Sequence, residues 1–136
     1  KEIIKGLIDG TIDAIVSDHT PHDQDCKRLP FNQAEFGGIG LETLLSCTLS
    51  LVQNKHIDVF KAISLISLNP SKILRLNSGI IKENTEADLS IFDIEKSWKV
   101  MPEKFFSKSK NSPFDGMLLE GKNIMTFVRG RLVYKL

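Results

Sequence analysis

Cysteine and histidine are scarce in this chain, and this scarcity excludes several kinds of cross-linked or metal-bound fold. Its 136 residues include two cysteines, Cys26 and Cys47, and three histidines. The cysteines have no CxxC spacing, so the sequence predicts neither a disulfide framework nor a cysteine-based zinc site. We assign neither cysteine a role, and we expect a reducing, cytoplasmic setting.

An excess of charge of one sign and a long hydrophobic run are also lacking. The chain has 18 Lys and Arg against 17 Asp and Glu, a net charge of +1. Nothing therefore indicates binding to nucleic acid or to an anionic membrane. No apolar run approaches the ~20 residues that a membrane-spanning helix needs. Nucleic acid and membrane are not expected partners, and a small polar or anionic substrate remains open.

The first part of the chain has the pattern of an α/β protein. Apolar residues at helical spacing predict a helix that ends at Gly10. The nearly continuous apolar run from Ile12 to Ser17 then predicts a buried parallel strand. The polar segment from Asp23 to Gly40 shows no periodicity, and a loop of this length is usually functional or mobile. We therefore expect it to face a substrate.

More helices and then short strands are predicted further along. Apolar spacing over residues 41–52 predicts an amphipathic helix with Glu42 in its first turn. Asp58 is expected to cap a second helix, and Asn69-Pro70 to begin another helical turn. In the last third, alternating apolar and polar residues around Arg129-Gly130 predict short antiparallel strands. The fold class is therefore α/β.

Asp18, His19 and His22 form the densest group of ionisable side chains, and they directly follow the predicted strand. Active sites of α/β proteins collect at the carboxyl ends of strands. A carboxylate there could bind a cation or accept a proton from a water that a metal activates. The alternative is structural, with Asp18 capping a turn and both histidines bonding local backbone. The position after a buried strand favours the functional interpretation.

Two other segments of the chain, one rich in glycine and one polar, also need an interpretation. The run from Phe36 to Gly40, with Gly37 and Gly38 inside it, offers backbone N–H groups just before a predicted helix. Such groups suit a ligand oxygen. The alternative is a flexible entry into the helix, which glycine also allows. Residues 107–113, S-K-S-K-N-S-P, are interpreted as a solvated linker.

Several motifs together resemble bacterial-type dihydroorotases. I-D-A-I-V-S-D-H-T-P-H at 12–22, followed by A-E-F-G-G-I-G-L-E-T at 34–43, is similar to the final barrel strand and following loop of that family. The later segments N-P-S-K-I-L, E-A-D-L-S-I-F-D, F-S-K-S-K-N-S-P-F-D-G and F-V-R-G-R-L-V-Y also resemble it. The likeness covers nearly the whole chain.

The resemblance implies reversible, zinc-dependent hydrolysis of the cyclic amide of dihydroorotate to N-carbamoyl-aspartate, a step of pyrimidine biosynthesis. It identifies Asp18 as the catalytic carboxylate, which approaches the zinc centre and transfers the proton. His22, Phe36 and Gly37 are implied to contact the substrate. The family's H-x-H pair, bridging carboxylate and further metal histidines belong upstream of this segment. One or two zinc ions would therefore be held mainly from outside this chain, and His19 has no implied role.

The resemblance also implies a division of the chain. Residues 1–78 are expected to be the last strand and following helices of a TIM-type (β/α) barrel. Residues 79–136 are expected to be strands of a small accessory β-sandwich domain, with a loop region at 94–122. Because a barrel needs about 200 to 250 residues, we expect a fragment that is inactive alone.

Three interpretations of function stay open at this point. The chain belongs to a dihydroorotase, to a neighbouring cyclic amidohydrolase such as an allantoinase or hydantoinase, or to a non-catalytic dihydroorotase-like partner of aspartate transcarbamoylase. A non-catalytic protein needs neither Asp18 nor His22, so their presence favours an enzyme. A homo-oligomer and association with aspartate transcarbamoylase are both compatible with the resemblance.

Overall fold

Helices occupy the first half of the chain and strands the second. The structure, a computed structural model, describes all residues from 1 to 136. The α-helices are α1 (Glu2–Asp9), α2 (Gln24–Lys27), α3 (Leu44–Gln53), α4 (Val59–Ile63) and α5 (Asn69–Ile73). The strands are β1 (Leu89–Lys99), β2 (Leu118–Val128) and β3 (Arg131–Lys135). A π-helix (Ser64–Leu68) joins α4 to α5, and a 3-10 turn (Pro102–Lys104) follows β1. None of the helices combines the length and the apolar character needed to cross a membrane.

Helix α1 is the predicted first helix, and it ends where the sequence predicted. Gly10 follows it with a left-handed φ of 84°, a conformation that glycine adopts without strain because it has no Cβ. Leu7 is buried, whereas Ile3 and Ile8 are exposed. The rest of the chain therefore covers only part of the apolar face of α1.

The prediction of a buried parallel strand from Ile12 to Ser17 is wrong for this chain. Residues 13–18 belong to no strand, and Val16 is 71% exposed. A strand needs a ladder of hydrogen bonds with a neighbouring strand, and the chain's one sheet consists of β1, β2 and β3 alone. The segment is held instead by two separate contacts with the helices that follow α3.

Those two contacts arise where the π-helix meets α5. The N–H of Asn69 bonds to the carbonyl of Ser64, five residues earlier. The next residue, Pro70, has no N–H to offer the carbonyl of Leu65. That carbonyl accepts instead from the N–H of Ile15 at 2.9 Å. The side-chain Nδ2 of Asn69 also donates to the carbonyl of Asp13 at 2.8 Å, so this helix turn positions the segment that leads to Asp18.

The predicted helix starts are partly right. Asp58 caps α4 as predicted, since its Oδ1 accepts from the N–H of Lys61 at 2.7 Å. The helix expected from residue 41 begins later, with Thr43 as the residue before α3. Glu42 is therefore not in the first turn, and its carboxylate bonds to a distant loop instead. The long loop predicted from residue 23 also contains the short helix α2, which Asp23 caps.

The strands form one antiparallel sheet in the order β1-β2-β3. The predicted turn at Arg129-Gly130 joins β2 to β3, with φ of 49° and 74° at these two residues. Positive φ at both central residues is typical of a type I′ hairpin. The region expected to be a loop at 94–122 is shorter than predicted, because β1 runs to Lys99 and β2 starts at Leu118.

The sheet packs on α3 through a very close contact at Gly121 of β2. Gly121 has φ +91°, and a Cβ at this residue would collide with Cδ1 of Leu49, which is 2% exposed. Beside this contact, Ser46 Oγ donates to the carbonyl of Gly121. Trp98 Nε1 on β1 lies 3.1 Å from both Ser46 Oγ and that same carbonyl. Helix α3 and the sheet are thereby joined by apolar contact and by buried hydrogen bonds.

Replacing Gly121 with alanine should weaken this junction. We expect Gly121→Ala to destabilise the protein by about 1–3 kcal/mol more than Gly116→Ala, because the added methyl overpacks the core. Gly116 is a matched control, with a similar φ of +75° but open space around its Cβ position. Denaturant unfolding of the natural protein that carries this chain measures the difference. Equal effects of the two substitutions would mean that Leu49 moves aside freely.

Candidate active site

Asp18 lies at the end of the unpaired segment 13–18, in an unusual backbone conformation. Its φ is 42°, in the left-handed region that short polar residues tolerate better than most others. The hydroxyl of Thr20 donates to the Asp18 carbonyl at 2.9 Å and supports this turn. The side chain is exposed, and none of the structure's hydrogen bonds uses its carboxylate. The turn-capping alternative for Asp18 is therefore wrong, and the carboxylate is available for another partner.

His19 connects the segment around Asp18 to the glycine-rich segment. Its Nδ1 accepts from the N–H of Gly40 at 3.3 Å and from that of Leu41 at 3.4 Å. A neutral imidazole that accepts at Nδ1 carries its proton on Nε2. The next residue, Thr20, donates its N–H to the carbonyl of Gly38 at 2.9 Å. His19 thus supports backbone 21 and 22 residues away, whereas the structural alternative predicted bonds to local backbone only.

The glycines of residues 36–40 are required by close packing. A Cβ at Gly37, where φ is +96°, would lie 2.7 Å from Cβ of Thr20. A Cβ at Gly40 would lie 2.6 Å from the carbonyl oxygen of Ser17. Both distances are shorter than real Cβ contacts allow, so these backbones approach each other only because side chains are absent. The interpretation as a merely flexible helix entry does not describe this segment.

The segment at 107–113 is not a solvated linker, contrary to the sequence interpretation. Ser109 Oγ donates to the carbonyl of His22 at 2.7 Å. The carbonyl of Asn111 accepts from the N–H of Ile39 at 3.1 Å, and its side-chain Nδ2 lies 3.4 Å from the carbonyl of Gly37. Three segments that are distant in sequence therefore meet. The many polar side chains in S-K-S-K-N-S-P were the only sequence feature that could have indicated these contacts, and the same feature is typical of an exposed loop.

Further side chains hold this arrangement through backbone carbonyls and amides. Lys27 Nζ donates to the carbonyls of Glu35 and Gly37, and Lys110 Nζ donates to those of Phe105 and Ser107. Glu42 Oε1 accepts from the N–H of Phe106 at 2.9 Å and, at 3.4 Å, from that of Ser107. These charged side chains hold loop backbone groups that would otherwise form their hydrogen bonds with water.

A cleft of about 710 Å³ opens beside His22 and is lined only by polar and charged residues and Pro21. Lys27, Arg28, Lys108 and Lys110 are in its wall, against the acidic residues Asp23 and Glu103. This volume is in the range of small-molecule sites, and the excess of cations favours an anionic ligand. Asp18 does not line the cleft, and Phe36 is 86% exposed outside it.

The remaining candidate groups lie elsewhere or have other functions. His56 is exposed in the connection between α3 and α4. Burial raises the pKa of the Cys47 thiol, which disfavours the thiolate that reacts as a nucleophile. No three side chains of the His, Cys, Asp or Glu type lie close enough together to hold a metal ion. A metal at Asp18 would take its other ligands from outside these 136 residues.

Comparisons with known proteins agree over nearly the whole chain. The profile of the amidohydrolase family matches residues 2–133. A dihydroorotase of Citrifermentans bemidjiense is 47% identical over 130 residues, and one of a Geobacter species is 46% identical over 130 residues. In structure, the L-hydantoinase (dihydropyrimidinase) of Arthrobacter aurescens matches 98% of the chain with a TM-score of 0.90 and 32% identity.

These alignments cover nearly all of this chain but only part of each relative. The alignments cover 96% of this chain but 31% of each dihydroorotase and 31% of the hydantoinase. The chain therefore spans about a third of the length of the relatives it matches. The resemblance predicted from the sequence motifs is confirmed.

The bonds from His19 to the glycine-rich segment can be tested by amide hydrogen exchange. In His19→Ala, the amides of Gly40 and Leu41 should exchange several-fold faster, because each lost hydrogen bond is worth about 1 kcal/mol. His19→Asn should retain much of the protection, since its Oδ1 can replace Nδ1 as acceptor. His56→Ala is the control, because that exposed ring accepts no such bond. Unchanged exchange in His19→Ala would contradict the assignment.

Proposed function

This chain belongs to the amidohydrolase family, and from that premise we propose that it is the C-terminal portion of a dihydroorotase. The reaction is the reversible hydrolysis of the cyclic amide of dihydroorotate to N-carbamoyl-aspartate, a step of pyrimidine biosynthesis. The observation that carries the proposal is the free Asp18 carboxylate beside the joined His22 and glycine-rich segments. The 47% identity to a protein of that activity supports the choice of substrate.

The proposed architecture assigns residues 1–78 to the end of a TIM-type barrel and residues 79–136 to a β-rich accessory segment. The unpaired, partly apolar segment at residues 13–18 supports the first assignment, because a barrel strand has neighbours on both sides that this chain does not supply. The single antiparallel sheet supports the second. Completion of that sheet into a sandwich would come from strands outside this chain.

The chemistry of Asp18 fits a zinc site as one ligand among several. Zinc in catalytic sites takes about three protein ligands from Asp, Glu, His and Cys. The Asp18 carboxylate is exposed and has no hydrogen bond, so it can serve as one of them. The other ligands would lie in the remainder of the protein. When bound, zinc supplies Lewis acidity toward the amide carbonyl and makes water more acidic.

Asp18 performs proton transfer in this mechanism. Its carboxylate takes a proton from the attacking water as the C–O bond forms. It returns that proton to the ring nitrogen as the C–N bond breaks, leaving a ureido group and a carboxylic acid, which releases its own proton to water. One residue acts as general base and then as general acid. Its side chain is exposed at a backbone turn and has no hydrogen bond, so the carboxylate is free to accept and return a proton.

Substrate binding is assigned to His22 and to the backbone of Phe36 and Gly37. The cationic wall of the cleft beside His22 attracts the carboxylate of dihydroorotate. Backbone at Gly37 can approach a ligand closely because no Cβ is present. Binding by these groups lowers the entropy cost of bringing the cyclic amide to Asp18.

A related cyclic amidohydrolase is the second candidate, because a hydantoinase has nearly the same backbone over this region. We expect the natural protein that carries this chain to hydrolyse dihydroorotate in preference to allantoin and dihydrouracil. Values of kcat/KM for the three compounds provide the measurement. A preference for allantoin or dihydrouracil would replace the dihydroorotase assignment with one of these alternatives.

Asp18→Ala should lower kcat by at least ~100-fold, which is the usual size of a general acid-base contribution. The matched control is Asp13→Ala, because Asp13 is an exposed carboxylate in the same unpaired segment and only its backbone carbonyl is hydrogen-bonded. That control should keep near-normal turnover. Retention of kcat in Asp18→Ala would remove Asp18 from the proton-transfer step, and equal losses in both variants would indicate a structural effect.

A further inference from the structure

We propose that Ser109 and Asn111 are positioning residues that hold the two substrate-binding segments of this site in register. The inference rests on the proposed function for the substrate and for the binding roles of His22, Phe36 and Gly37. We call residues Ser107 to Pro113 the buttress loop. Neither Ser109 nor Asn111 is expected to touch the reacting atoms, and each acts through the backbone of another residue.

Ser109 supports the segment that contains His22. Its Oγ donates to the carbonyl of His22 at 2.7 Å, across 87 residues of sequence. The carbonyl of a residue moves with its own side chain, so this bond restricts the direction in which the imidazole of His22 points. Few other contacts restrain this carbonyl, since residues 20–23 belong to no helix or strand.

Asn111 supports the glycine-rich segment from two sides. Its carbonyl accepts from the N–H of Ile39 at 3.1 Å, and its Nδ2 lies 3.4 Å from the carbonyl of Gly37. Gly38 lies between these contacts, where a Cβ would be 3.0 Å from the Asn111 carbonyl oxygen. The buttress loop therefore lies directly against the backbone that is proposed to meet the substrate.

The two side chains are coupled to each other. Ser109 Oγ also hydrogen-bonds to Oδ1 of Asn111, and a hydroxyl has a single proton to donate. That proton is shared between Oδ1 of Asn111 and the carbonyl of His22. Loss of Asn111 leaves Ser109 free to bond to His22, whereas loss of Ser109 removes the support of His22 directly. The two substitutions should therefore disturb different segments.

The buttress loop is itself fixed at its base. Lys110 Nζ donates to the carbonyls of Phe105 and Ser107 at 2.9 and 2.8 Å. Glu42, just before α3, accepts from the N–H of Phe106 at 2.9 Å. The ring of Phe105 packs against Trp98 of β1 with 6.2 Å between ring centroids. Because its base is attached to α3 and the sheet, the loop can transmit rigidity to the site.

The test uses the natural protein that carries this chain, with Ser109→Ala, Ser109→Thr, Asn111→Ala and a control. The control is Ser107→Ala. Ser107 belongs to the same loop, and its hydroxyl takes part in no hydrogen bond. Ser109→Ala and Asn111→Ala should each raise KM for dihydroorotate about fivefold to tenfold, the effect of one lost hydrogen bond. The value of kcat should change by less than about twofold, because the lost contact stabilises the bound substrate and the transition state equally. Ser109→Thr keeps the hydroxyl and should restore KM.

Amide hydrogen exchange of the same variants gives a readout that does not depend on the substrate. Ser109→Ala should speed exchange in the segment 19–23. Asn111→Ala removes the Nδ2 contact with Gly37 but keeps the backbone carbonyl that Ile39 bonds to, so it should speed exchange in the segment 36–38, while Ser107→Ala alters neither. Unchanged KM and unchanged exchange in both variants would overturn the proposal, as would equal effects of Ser107→Ala. If the unmodified protein fails to hydrolyse dihydroorotate, the proposed function is wrong and the exchange pattern alone decides the role of the loop.

Discussion

The close approach of Leu49 on α3 to Gly121 on β2 is the contact on which the arrangement of helices and sheet depends. A side chain on Gly121 would collide with Leu49, so the sheet can lie this near to the helix only at a glycine. Ser46 and Trp98 surround the contact with hydrogen bonds to the Gly121 carbonyl. Because β1 is fixed here, the loop that follows it is directed back toward the segment around Asp18.

The site is assembled mainly by bonds to backbone rather than by contacts between the candidate functional side chains. His19, Lys27, Ser109 and Asn111 each use a side chain to bond to a carbonyl or N–H of another segment. This arrangement leaves the Asp18 carboxylate without a hydrogen bond, although its backbone is fixed. The cost is that several positions must be glycine, since a Cβ at Gly37 or Gly40 would collide with the neighbouring segment.

Turns and helix ends that depend on one or two neighbouring residues were predicted correctly. The helix stop at Gly10, the cap at Asp58 and the hairpin turn at Arg129-Gly130 each follow from the conformational preferences of one or two residues. The prediction for Glu42 was wrong because the carboxylate found N–H donors on a loop 64 residues away, at Phe106. The prediction of a paired strand at 12–17 was wrong because pairing needs partner strands, and no other segment of this chain supplies them.

By itself, the sequence determined the family, the sequence neighbourhood of Asp18 and His22, the helix stop at Gly10, the cap at Asp58 and the turn at Arg129-Gly130. These features depend on residue types and short spacings, which are visible along the chain. Only the tertiary structure decided that His19 supports backbone, that the segment at 107–113 buttresses the site, and that Gly37 and Gly40 are sterically required. A side chain that bonds to distant backbone cannot be matched to its partner from the sequence, since every residue except proline carries the same backbone donor and acceptor.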